Sequence, residues 1–346
     1  MNIISSTEYI LCCNALSVNL FLSIQKKNLV RIILSKVYKI ESKDYYVYDE
    51  NGNSVICRLP GRFKNKYHLK QNKQRVLDIV TVGDKVKISL NQDGRGEILK
   101  IFERKNYFSR KAPRLKGTSG KGERLEQIFA ANIDNIVIVS SANHPEFNNR
   151  LVDRITVAAE SSHVDVIIVI NKSDIGVKEE IEDWKEIYSN CGYTVVVTSV
   201  KENSGIYQLG ETIKNSTSLF CGQSGVGKSS LLNSLYPQLD FRVGEVSEAT
   251  NKGKHTTVAS VLQNVNNTTA IIDSPGIREF APYGIKKEDL SHHFIDLLPF
   301  VNNCKFNTCT HLHEPGCAVI EAVDDELISV ERYYSYLNIL ENIEDV

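Results

Sequence analysis

The sequence predicts a multidomain α/β protein: a small β-barrel comes first, a parallel sheet with flanking helices follows, and a metal-binding region ends the chain. Five short runs of β-branched and aromatic residues lie between residues 36 and 101, which is the pattern of a small barrel. From about residue 125, strand-like runs alternate with a helical segment, and this alternation favours a parallel sheet. Three cysteines cluster with histidines between residues 304 and 317, which indicates a metal site.

The composition is that of an ordinary globular protein with room for two or three domains. The chain has 346 residues, of which 24% are charged and 42% hydrophobic. Its formal net charge is −1, so a nucleic-acid partner would need a local basic patch. The eight cysteines form no disulfide framework, which favours a reduced, cytoplasmic protein. An apolar run at residues 10–24 is interrupted by polar residues, so we expect neither a signal peptide nor a membrane span.

Residues 1–33 are assigned to an N-terminal extension of unclear role, and residues 34–102 to the barrel. The dipeptide Asn51-Gly52 is a strong hairpin signal between the second and third strand-like runs. The five runs span residues 36–40, 45–48, 55–59, 84–90 and 96–101. Among five-stranded barrels the OB-fold is the best-known nucleic-acid binder, so we predict an OB-fold domain.

A basic stretch with interleaved aromatic residues begins at the end of the third run. Such a pattern fits a loop that faces RNA, because aromatic rings stack on bases and cations track phosphates. A solvated surface loop is the alternative interpretation, since basic loops are common on protein surfaces. The residues concerned are Arg58, Arg62, Phe63, Lys64, Lys66, Tyr67, Lys70, Lys73 and Arg75.

Residues 103–122 are predicted to form a basic linker. Their only acidic residue is Glu103, and three glycines near the end favour mobility when the segment is free. A basic arm beside an OB-fold favours contact with a phosphate backbone. The basic residues are Arg104, Lys105, Arg110, Lys111, Arg114, Lys116 and Lys121.

Residues 222–229 read GQSGVGKS and match the GxxxxGK[ST] pattern of a phosphate-binding loop, the P-loop. A strand-like run precedes the motif and a helical run follows it, which is the context the motif requires. The glycines let successive backbone N–H groups converge on phosphate oxygens at a helix N-terminus. Lys228 would reach the β- and γ-phosphates, and the Ser229 hydroxyl would bind Mg²⁺. The predicted phosphate contacts are Gly222, Gln223, Ser224, Gly225, Val226, Gly227, Lys228, Ser229 and Ser230.

A second motif, NKSD at residues 171–174, follows a buried strand-like run and predicts a guanine base. The carboxylate of Asp174 would accept hydrogen bonds from the guanine N1–H and the exocyclic amine, a pair that adenine does not offer. Asn171 would brace the loop, and the stem of Lys172 would lie over the base plane. Residues 199–201 are similar to the SAK element of GTPases, whose backbone contacts the guanine oxygen. The predicted base contacts are Asn171, Lys172, Ser173, Asp174, Ser199, Val200 and Lys201.

Two further motifs predict contacts to magnesium and to the γ-phosphate. Residues 253–257 read GKHTT in a polar loop, where Thr257 or its neighbour Thr256 would bind Mg²⁺ and sense the γ-phosphate. Residues 273–276 read DSPG after a strand-like run. Asp273 would hold Mg²⁺ through water, and the Gly276 N–H would contact the γ-phosphate.

The residue after DSPG is Ile277, where many GTPases carry a glutamine that orients the attacking water. Isoleucine has no hydrogen-bonding group, so another residue must take this role. We assign it to His255 in the GKHTT loop, with a histidine of no special role as the alternative. The predicted catalytic set is His255, Thr256, Thr257 and Gly276.

The motifs occur in an unusual order. The base motifs precede the P-loop, the GKHTT loop and DSPG, whereas in ordinary GTPases they come last. Because the site depends on its assembly in space, and permutation is tolerated where termini lie close together, we predict a circularly permuted GTPase domain over residues 123–282.

Residues 283–346 are predicted to form a zinc-binding domain. Cys304, Cys309, His311 and Cys317 have the spacing C-x4-C-x-H-x5-C, and three thiolates with one imidazole make a closed tetrahedral site. His313 is an alternative ligand, and unligated cysteines are the alternative explanation, since the spacing is not the usual CxxC. We expect one Zn²⁺ per chain.

A terminal helix is predicted over residues 325–343. The apolar residues in this stretch recur at helical spacing. They would place one side of the helix against the domain, and they are Leu327, Tyr334, Leu337 and Leu340.

Together these motifs resemble the RsgA (YjeQ) family of bacterial circularly permuted GTPases. The resemblance runs from about residue 36 to the terminal helix and rests on the motif order, the segments GQSGVGKSS, GKHTT and DSPGIREF, and the cysteine cluster with Glu314-Pro315-Gly316 before its last cysteine. It implies an OB-fold, a permuted GTPase domain and a zinc domain. It also implies binding to the small (30S) ribosomal subunit and its 16S rRNA near the decoding region, with GTP hydrolysis stimulated by the subunit and coupled to its late maturation.

The expected cofactors are therefore GTP or GDP, Mg²⁺ and Zn²⁺, and the expected protein is a cytoplasmic monomer with no membrane contact. Two alternatives remain open. One is a P-loop ATPase or kinase, against which the NKSD motif argues. The other is a GTP-sensing RNA-binding module with little hydrolysis, which Ile277 suggests.

Overall fold

The structure is a computed structural model of the chain. It describes most of the sequence, with gaps at the N-terminus, between residues 63 and 79, and around the loops that precede residues 126, 260 and 280. The described residues are 31–49, 51–61, 63, 79–91, 93–112, 126–239, 241, 260–274 and 280–343.

The N-terminal part is a closed five-stranded barrel with strand order β1-β2-β3-β5-β4. Alternate residues face inward, as in β3, where Val55 and Cys57 are buried between exposed neighbours. The predicted OB-fold barrel is therefore confirmed. The strands are β1 (Arg31–Glu41), β2 (Asp44–Tyr48), β3 (Ser54–Arg58), β4 (Lys85–Leu90) and β5 (Gly96–Ile101).

The first strand is longer than its sequence pattern indicates. It begins at Arg31, within the stretch assigned to the N-terminal extension, because its first six residues pair with β4 in the register Arg31↔Leu90 to Lys36↔Lys85. Within this stretch Ile33 points into the barrel, at 1% exposure, while Ile32 and Leu34 point outward. The start of the strand therefore depends on a partner more than 50 residues away.

The segment predicted as a linker contains a strand. Strand β6 (Tyr107–Lys111) pairs antiparallel with β7 (Glu126–Ala131), so this basic segment enters a hairpin instead of running free between two domains. Its inward residue Phe108 is fully buried and stacks on Phe280, with 5.3 Å between ring centres. The hairpin thus packs against the chain that follows the DSPG motif.

The barrel is joined to this hairpin by backbone contacts. The Ala131 N–H donates to the Val82 carbonyl at 2.9 Å. At the adjacent Gly83, where φ is +91°, a Cβ atom would lie 2.0 Å from the Ala131 carbonyl oxygen, so only glycine permits this approach. The carboxylate of Asp84, fully buried, accepts from the Arg104 Nε at 2.7 Å and closes the same junction.

The central part is a six-stranded sheet of order β10-β9-β8-β11-β13-β12, in which only β12 is antiparallel to its neighbour. All seven residues of β8 are buried, as expected for a strand covered on both faces. The predicted parallel sheet with flanking helices is confirmed. The strands are β8 (Asn135–Ser141), β9 (Asp165–Asn171), β10 (Thr194–Val197), β11 (Thr217–Gly222), β12 (Val261–Asn264) and β13 (Ala270–Asp273), and the helices are α1 (Asn149–Ser161), α2 (Lys178–Asn190), α3 (Ile206–Thr212) and α4 (Lys228–Leu235).

The C-terminal part is helical around the cysteine cluster. Its elements are a 3₁₀ turn (Leu290–His293) and the helices α5 (Leu298–Val301), α6 (Ala318–Asp324) and α7 (Val330–Asn342). Their apolar side chains form a separate core, which packs on α1 through Val157. No helix among the described residues is long and apolar enough to cross a bilayer.

The predicted terminal helix is present, but its start is wrong and its buried face is only partly right, since Leu340 is buried and Leu337 packs against the C-terminal core. The chain between α6 and α7 turns at Glu326, whose φ is +59°, and α7 starts only after Ser329, whose side chain accepts from the Arg332 N–H. Leu327 and Tyr334, predicted to face inward, are 66% and 65% exposed. The face that is buried contains Arg332, Ser335, Tyr336, Ile339 and Leu340.

Candidate nucleotide and metal sites

The sequence motifs converge at one edge of the sheet. Strands β9, β11 and β13 are parallel neighbours of β8 or of each other, so NKSD, the P-loop and DSPG follow at the same carboxyl edge. The chain runs from β8 to its neighbour β9 on one side, whereas β11 lies on the other side of β8. Such a topological switch point is where open α/β sheets bind ligands.

The P-loop links β11 to α4 through a turn with two left-handed glycines. The φ angles are +86° at Gly225 and +88° at Gly227, which glycine adopts without a steric cost. Gly222, at the end of β11, lies so close to β8 that a Cβ atom would be 2.2 Å from the Val139 carbonyl oxygen. The loop therefore has the strand–turn–helix geometry that the motif requires, and Ser229 lies in the first turn of α4.

Lys228 connects the P-loop to the DSPG motif. Its ammonium group bonds the carboxylate of Asp273 and the carbonyl of Ser274, and the residue is 8% exposed. Asp273 is the last residue of β13. The two motifs predicted to hold phosphate and magnesium are thus in direct contact.

Asn171 connects NKSD to the P-loop. Its side-chain Nδ2 donates to the Val226 carbonyl at 2.9 Å, and its Oδ1 accepts from the Thr198 hydroxyl at 3.0 Å. Asn171 is 2% exposed, and both the nitrogen and the oxygen of its side-chain amide have hydrogen-bond partners inside the protein. This is the arrangement expected of a residue that braces the base loop against the P-loop.

Replacing Gly227 with alanine is expected to disrupt this brace. The new Cβ would lie 2.6 Å from the Asn171 Nδ2, so Asn171 must move and lose its bond to Val226. The left-handed backbone adds a cost of about 1–2 kcal/mol. We expect GDP affinity to fall about tenfold, the effect of one or two lost hydrogen bonds. Gly94→Ala is the matched control, because Gly94 has a φ of +80° with nothing within 4 Å.

Both variants should lose stability in a thermal unfolding experiment because of the left-handed backbone, and Gly227→Ala should lose more because its Cβ also displaces Asn171. Only Gly227→Ala should lose GDP affinity in a fluorescent-nucleotide titration. Equal affinity in the two variants would contradict the role of the Asn171 contact.

Lys172 lies across the P-loop. Its φ is +59°, and its ammonium group donates to the carbonyls of Gly225 at 2.7 Å and His144 at 2.5 Å. The side chain therefore bridges the P-loop and the loop that precedes α1.

Asp174 has the acceptor character that guanine recognition requires. Its Oδ1 accepts from the Ser199 hydroxyl at 2.7 Å, and its Oδ2 lies 3.7 Å from the Lys201 ammonium. The Ser199 hydrogen bond, together with Lys201, lowers the pKa of Asp174, so the carboxylate is ionised near neutral pH. Side chains of residues 199–201 thereby contact NKSD, which the similarity to the SAK element did not indicate.

Two parts of the site were not found by sequence reasoning. Thr198 holds Asn171 in place, and Asn148 donates from Nδ2 to the P-loop Gln223 Oε1 at 3.4 Å. Asn148 did carry one signal, because it stands directly before a helical run and caps α1 by accepting from the Leu151 N–H at 3.1 Å. Its contact with the P-loop joins residues 75 positions apart, and no local pattern indicates it.

The remaining predicted residues of the nucleotide site lie outside the described residues. They belong to the GKHTT loop and to the segment after Ser274. They are His255, Thr256, Thr257, Gly276 and Ile277.

The four predicted metal ligands converge in the C-terminal part. The ligand atoms of Cys304, Cys309, His311 and Cys317 all lie within 4.8 Å of one another. The His311 Nδ1 is 3.5 Å from the Cys304 Sγ and 3.4 Å from the Cys317 Sγ, and the two sulfurs are 3.9 Å apart. A tetrahedral zinc site has S···S and S···N edges of about 3.6–3.8 Å, so the residues fit this ion. His313 is exposed and outside the cluster.

The surroundings of the cluster favour metal binding. Burial lowers the pKa of His311, which keeps the imidazole neutral as a ligand must be. Glu314 accepts from the Thr310 N–H at 2.8 Å and the Leu312 N–H at 2.9 Å. Although burial opposes ionisation, these bonds and the one from the Thr310 hydroxyl hold the pKa of Glu314 well below its usual range. A carboxylate thus shapes the loop between the second and fourth ligands.

Comparison with known proteins shows the family to which the chain belongs. Residues 101–282 match a family model described as RsgA GTPase. A relative from Bacteroides thetaiotaomicron, named small ribosomal subunit biogenesis GTPase RsgA 2, is 38% identical over 304 residues, which are 87% of this chain and 94% of the relative.

Solved structures give the same result. The crystal structure of YjeQ from Thermotoga maritima superposes with a TM-score of 0.69 at 29% identity and covers 90% of this chain and 98% of that chain. YloQ, described as a circularly permuted GTPase, superposes with a TM-score of 0.64 at 28% identity, covering 90% of this chain and 95% of that chain.

Proposed function

The chain belongs to the RsgA GTPase family, and on this basis we propose that it hydrolyses GTP to GDP and phosphate during late maturation of the small (30S) ribosomal subunit. One observation carries the nucleotide part of the proposal: the Asn171 side chain bonds the P-loop carbonyl of Val226 at 2.9 Å. This bond holds the guanine motif and the phosphate motif in one site. The ribosomal part follows from the names of the relatives, such as the RsgA 2 protein.

In this site Asp174 recognises the base and the P-loop recognises the phosphates. The ionised carboxylate accepts from the guanine N1–H and amine, with its position fixed by Ser199 at 2.7 Å. Lys228 neutralises the β- and γ-phosphates, and the backbone N–H groups of residues 223–228 line the phosphate path. An adenine nucleotide leaves the Asp174 carboxylate without donors and is rejected.

A GTPase of this kind uses Mg²⁺, which would neutralise the negative charge that develops on the phosphates during hydrolysis. The residues that would hold the ion are the Ser229 hydroxyl in the first turn of α4, Thr257, and Asp273 through water. The contact between Lys228 and Asp273 supports this set, because the carboxylate proposed for Mg²⁺ lies beside the lysine proposed for the phosphates.

We further propose that the barrel meets 16S rRNA. Its outer face carries the Arg58 guanidinium on a side chain that is 69% exposed, and the Lys39 ammonium lies 5.3 Å from the Tyr46 ring centre. Cations beside an aromatic ring suit an RNA strand. The basic hairpin of β6 and β7 would add phosphate contacts.

The Cys/His cluster holds one zinc ion per chain in this proposal. Three thiolates and one imidazole leave no open position, so the ion is structural and takes no part in hydrolysis. Tyr333 and Tyr336 on α7 donate to the carbonyls of His311 at 2.7 Å and Thr310 at 2.8 Å. The ligand loop is thereby fixed to the terminal helix.

Metal analysis of the purified protein is expected to find about one zinc per chain. Cys309→Ser should lose the metal and loosen the C-terminal domain, because a closed site needs all four ligands. Cys191→Ser is the control, since that thiol bonds the Ile187 carbonyl within α2 and lies outside the cluster. A Cys304/Cys309 double variant that keeps its zinc would exclude the site.

The function is tested by measuring GTP turnover with purified small subunits, with large subunits, and with neither. We expect slow turnover alone and a clear increase with small subunits only. Tight GTP binding without any turnover would favour the alternative, a GTP-sensing RNA-binding module, which Ile277 suggests. A preference for ATP would overturn the proposal. We also propose that the protein is a cytoplasmic monomer, and light scattering of the same preparation would measure its oligomeric state.

A further inference from the structure

A buried arginine joins the C-terminal part to the GTPase domain. Arg332 on α7 is 1% exposed and bonds the carboxylate of Asp153 on α1. The same guanidinium donates to the carboxylate of Asp296, from Nη2 at 2.7 Å and from Nε at 3.1 Å. The two carboxylates raise the pKa of Arg332 against the opposing effect of burial, so the guanidinium is charged.

Such a network adds little net stability if it serves only to pack two parts of the protein together. The free energy lost when an arginine and two aspartates leave water offsets much of the free energy gained from their attraction. Apolar residues of the same size often stabilise a protein as well or better. The guanidinium also lies 4.7 Å from the Phe294 ring centre and 5.6 Å from that of Tyr188. Its position is therefore fixed from four directions, as expected where an exact geometry matters.

The carboxylate that Arg332 holds lies close to the nucleotide site. Asp153 is four residues beyond Asn149, the start of α1, which is about 6 Å along the helix axis. The residue before the helix, Asn148, bonds the P-loop Gln223. The loop before that contributes the His144 carbonyl, which accepts from Lys172 at 2.5 Å.

A shift of the first turn of α1 would therefore displace two contacts of the proposed nucleotide site at once. Those contacts are the bond to the P-loop and the bond to the lysine of NKSD. Arg332 is the charged group of the C-terminal part that holds this turn through a carboxylate.

We infer that Arg332 is a positioning residue for the nucleotide site: through Asp153 it fixes the first turn of α1, and through that turn the loop that contacts Gln223 and Lys172. This inference rests on the proposed function. Because coupling between two sites is reciprocal, bound nucleotide in turn strengthens the docking of the C-terminal part on α1. Helix α7, which also holds the zinc-ligand loop, would then report the nucleotide state to whatever the C-terminal part contacts.

The test is a double-mutant cycle read out as GDP affinity. Arg332→Gln and Asp153→Asn should each weaken GDP binding about tenfold, a typical coupling between sites, and the double variant should be no weaker than the worse single one. Arg332→Lys, which keeps the charge, should recover part of the affinity. Asn338→Ala is the matched control, because it removes the bond from the Arg154 Nη2 to the Asn338 Oδ1, 2.8 Å long, between the same two helices. Its GDP affinity should equal that of the wild type.

Zinc content and a cooperative thermal transition show that each variant is folded. If the single variants unfold because a buried charge is left unpaired, a neutral set replaces all three groups: Arg332→Met with Asp153→Asn and Asp296→Asn. A folded neutral set with wild-type GDP affinity would overturn the inference and leave the network as interdomain packing alone. Failure of the wild type to bind GDP would instead overturn the proposed function, so the two failures are distinguishable.

Discussion

Replacing Asp174 with asparagine is expected to lower GTP affinity by roughly 10³-fold, which corresponds to two lost charge-assisted hydrogen bonds. The amide offers the guanine N1–H a poor acceptor and places its own NH₂ against the exocyclic amine. Ser199, which donates to Asp174 at 2.7 Å, can still donate to the amide oxygen, so the loop should stay in place.

The same substitution should improve binding of xanthosine nucleotide. Xanthine carries a carbonyl where guanine carries the amine, and the asparagine NH₂ can donate to it. Titration with fluorescent GDP and XDP measures both effects. Asp183→Asn, the same change at an exposed position of α2, should affect neither nucleotide. Unchanged GTP affinity in the Asp174 variant would show that NKSD does not read the base.

Replacing His255 with alanine is expected to keep GTP affinity and to lose subunit-stimulated hydrolysis by about 10²-fold, the typical contribution of a group that orients or activates water. Ile277 cannot take this role, because its side chain neither donates nor accepts. One of the neighbouring residues Thr256 and Thr257 would bind Mg²⁺ when the loop closes over the γ-phosphate. That contact would draw the imidazole toward the attacking water.

In this account the small subunit raises the fraction of molecules with the histidine in place, which is a shift of population and adds no chemical group. Single-turnover hydrolysis on saturating small subunits measures the chemical step, and binding of a GTP analogue measures affinity separately. His292→Ala, at an exposed histidine of the C-terminal part, is the control and should hydrolyse GTP normally. Wild-type hydrolysis in the His255 variant would leave a backbone group or an rRNA group as the element that positions water.

Some features followed from the sequence because neighbouring residues encode them. The P-loop needs two glycines, a lysine and a serine at fixed spacing between a strand and a helix, and all of this lies within residues 218–235. The four metal ligands lie within 14 positions, from Cys304 to Cys317, so the chain alone brings them near each other. The helical segment predicted among the strand-like runs after residue 125 is likewise present as α1, which Asn148 caps.

Other features depended on partners that no local pattern reveals. The start of β1 is set by its pairing with β4. Part of the basic segment predicted as a linker, Tyr107–Lys111, forms β6 because β7 pairs with it. In both cases a strand forms because a second strand supplies its hydrogen-bond partners. The hydrophobic pattern of one strand does not identify which strand will pair with it.

The terminal helix shows the difference most clearly. Spacing and periodicity are local properties of the chain. The amino-acid sequence alone therefore predicted a helix near the end of the chain, a guanine nucleotide site before that helix, and a metal cluster between the two. The buried face of the predicted terminal helix was found only in part, because Leu337 and Leu340 pack inward while Leu327 and Tyr334 are exposed. From the sequence, a charged residue such as Arg332 is expected to face solvent. It is buried because Asp153 and Asp296 surround it, since the free energy of burying a charge depends on the neighbouring groups. Those groups lie 179 and 36 residues away in the chain, and folding alone brings them to the same place.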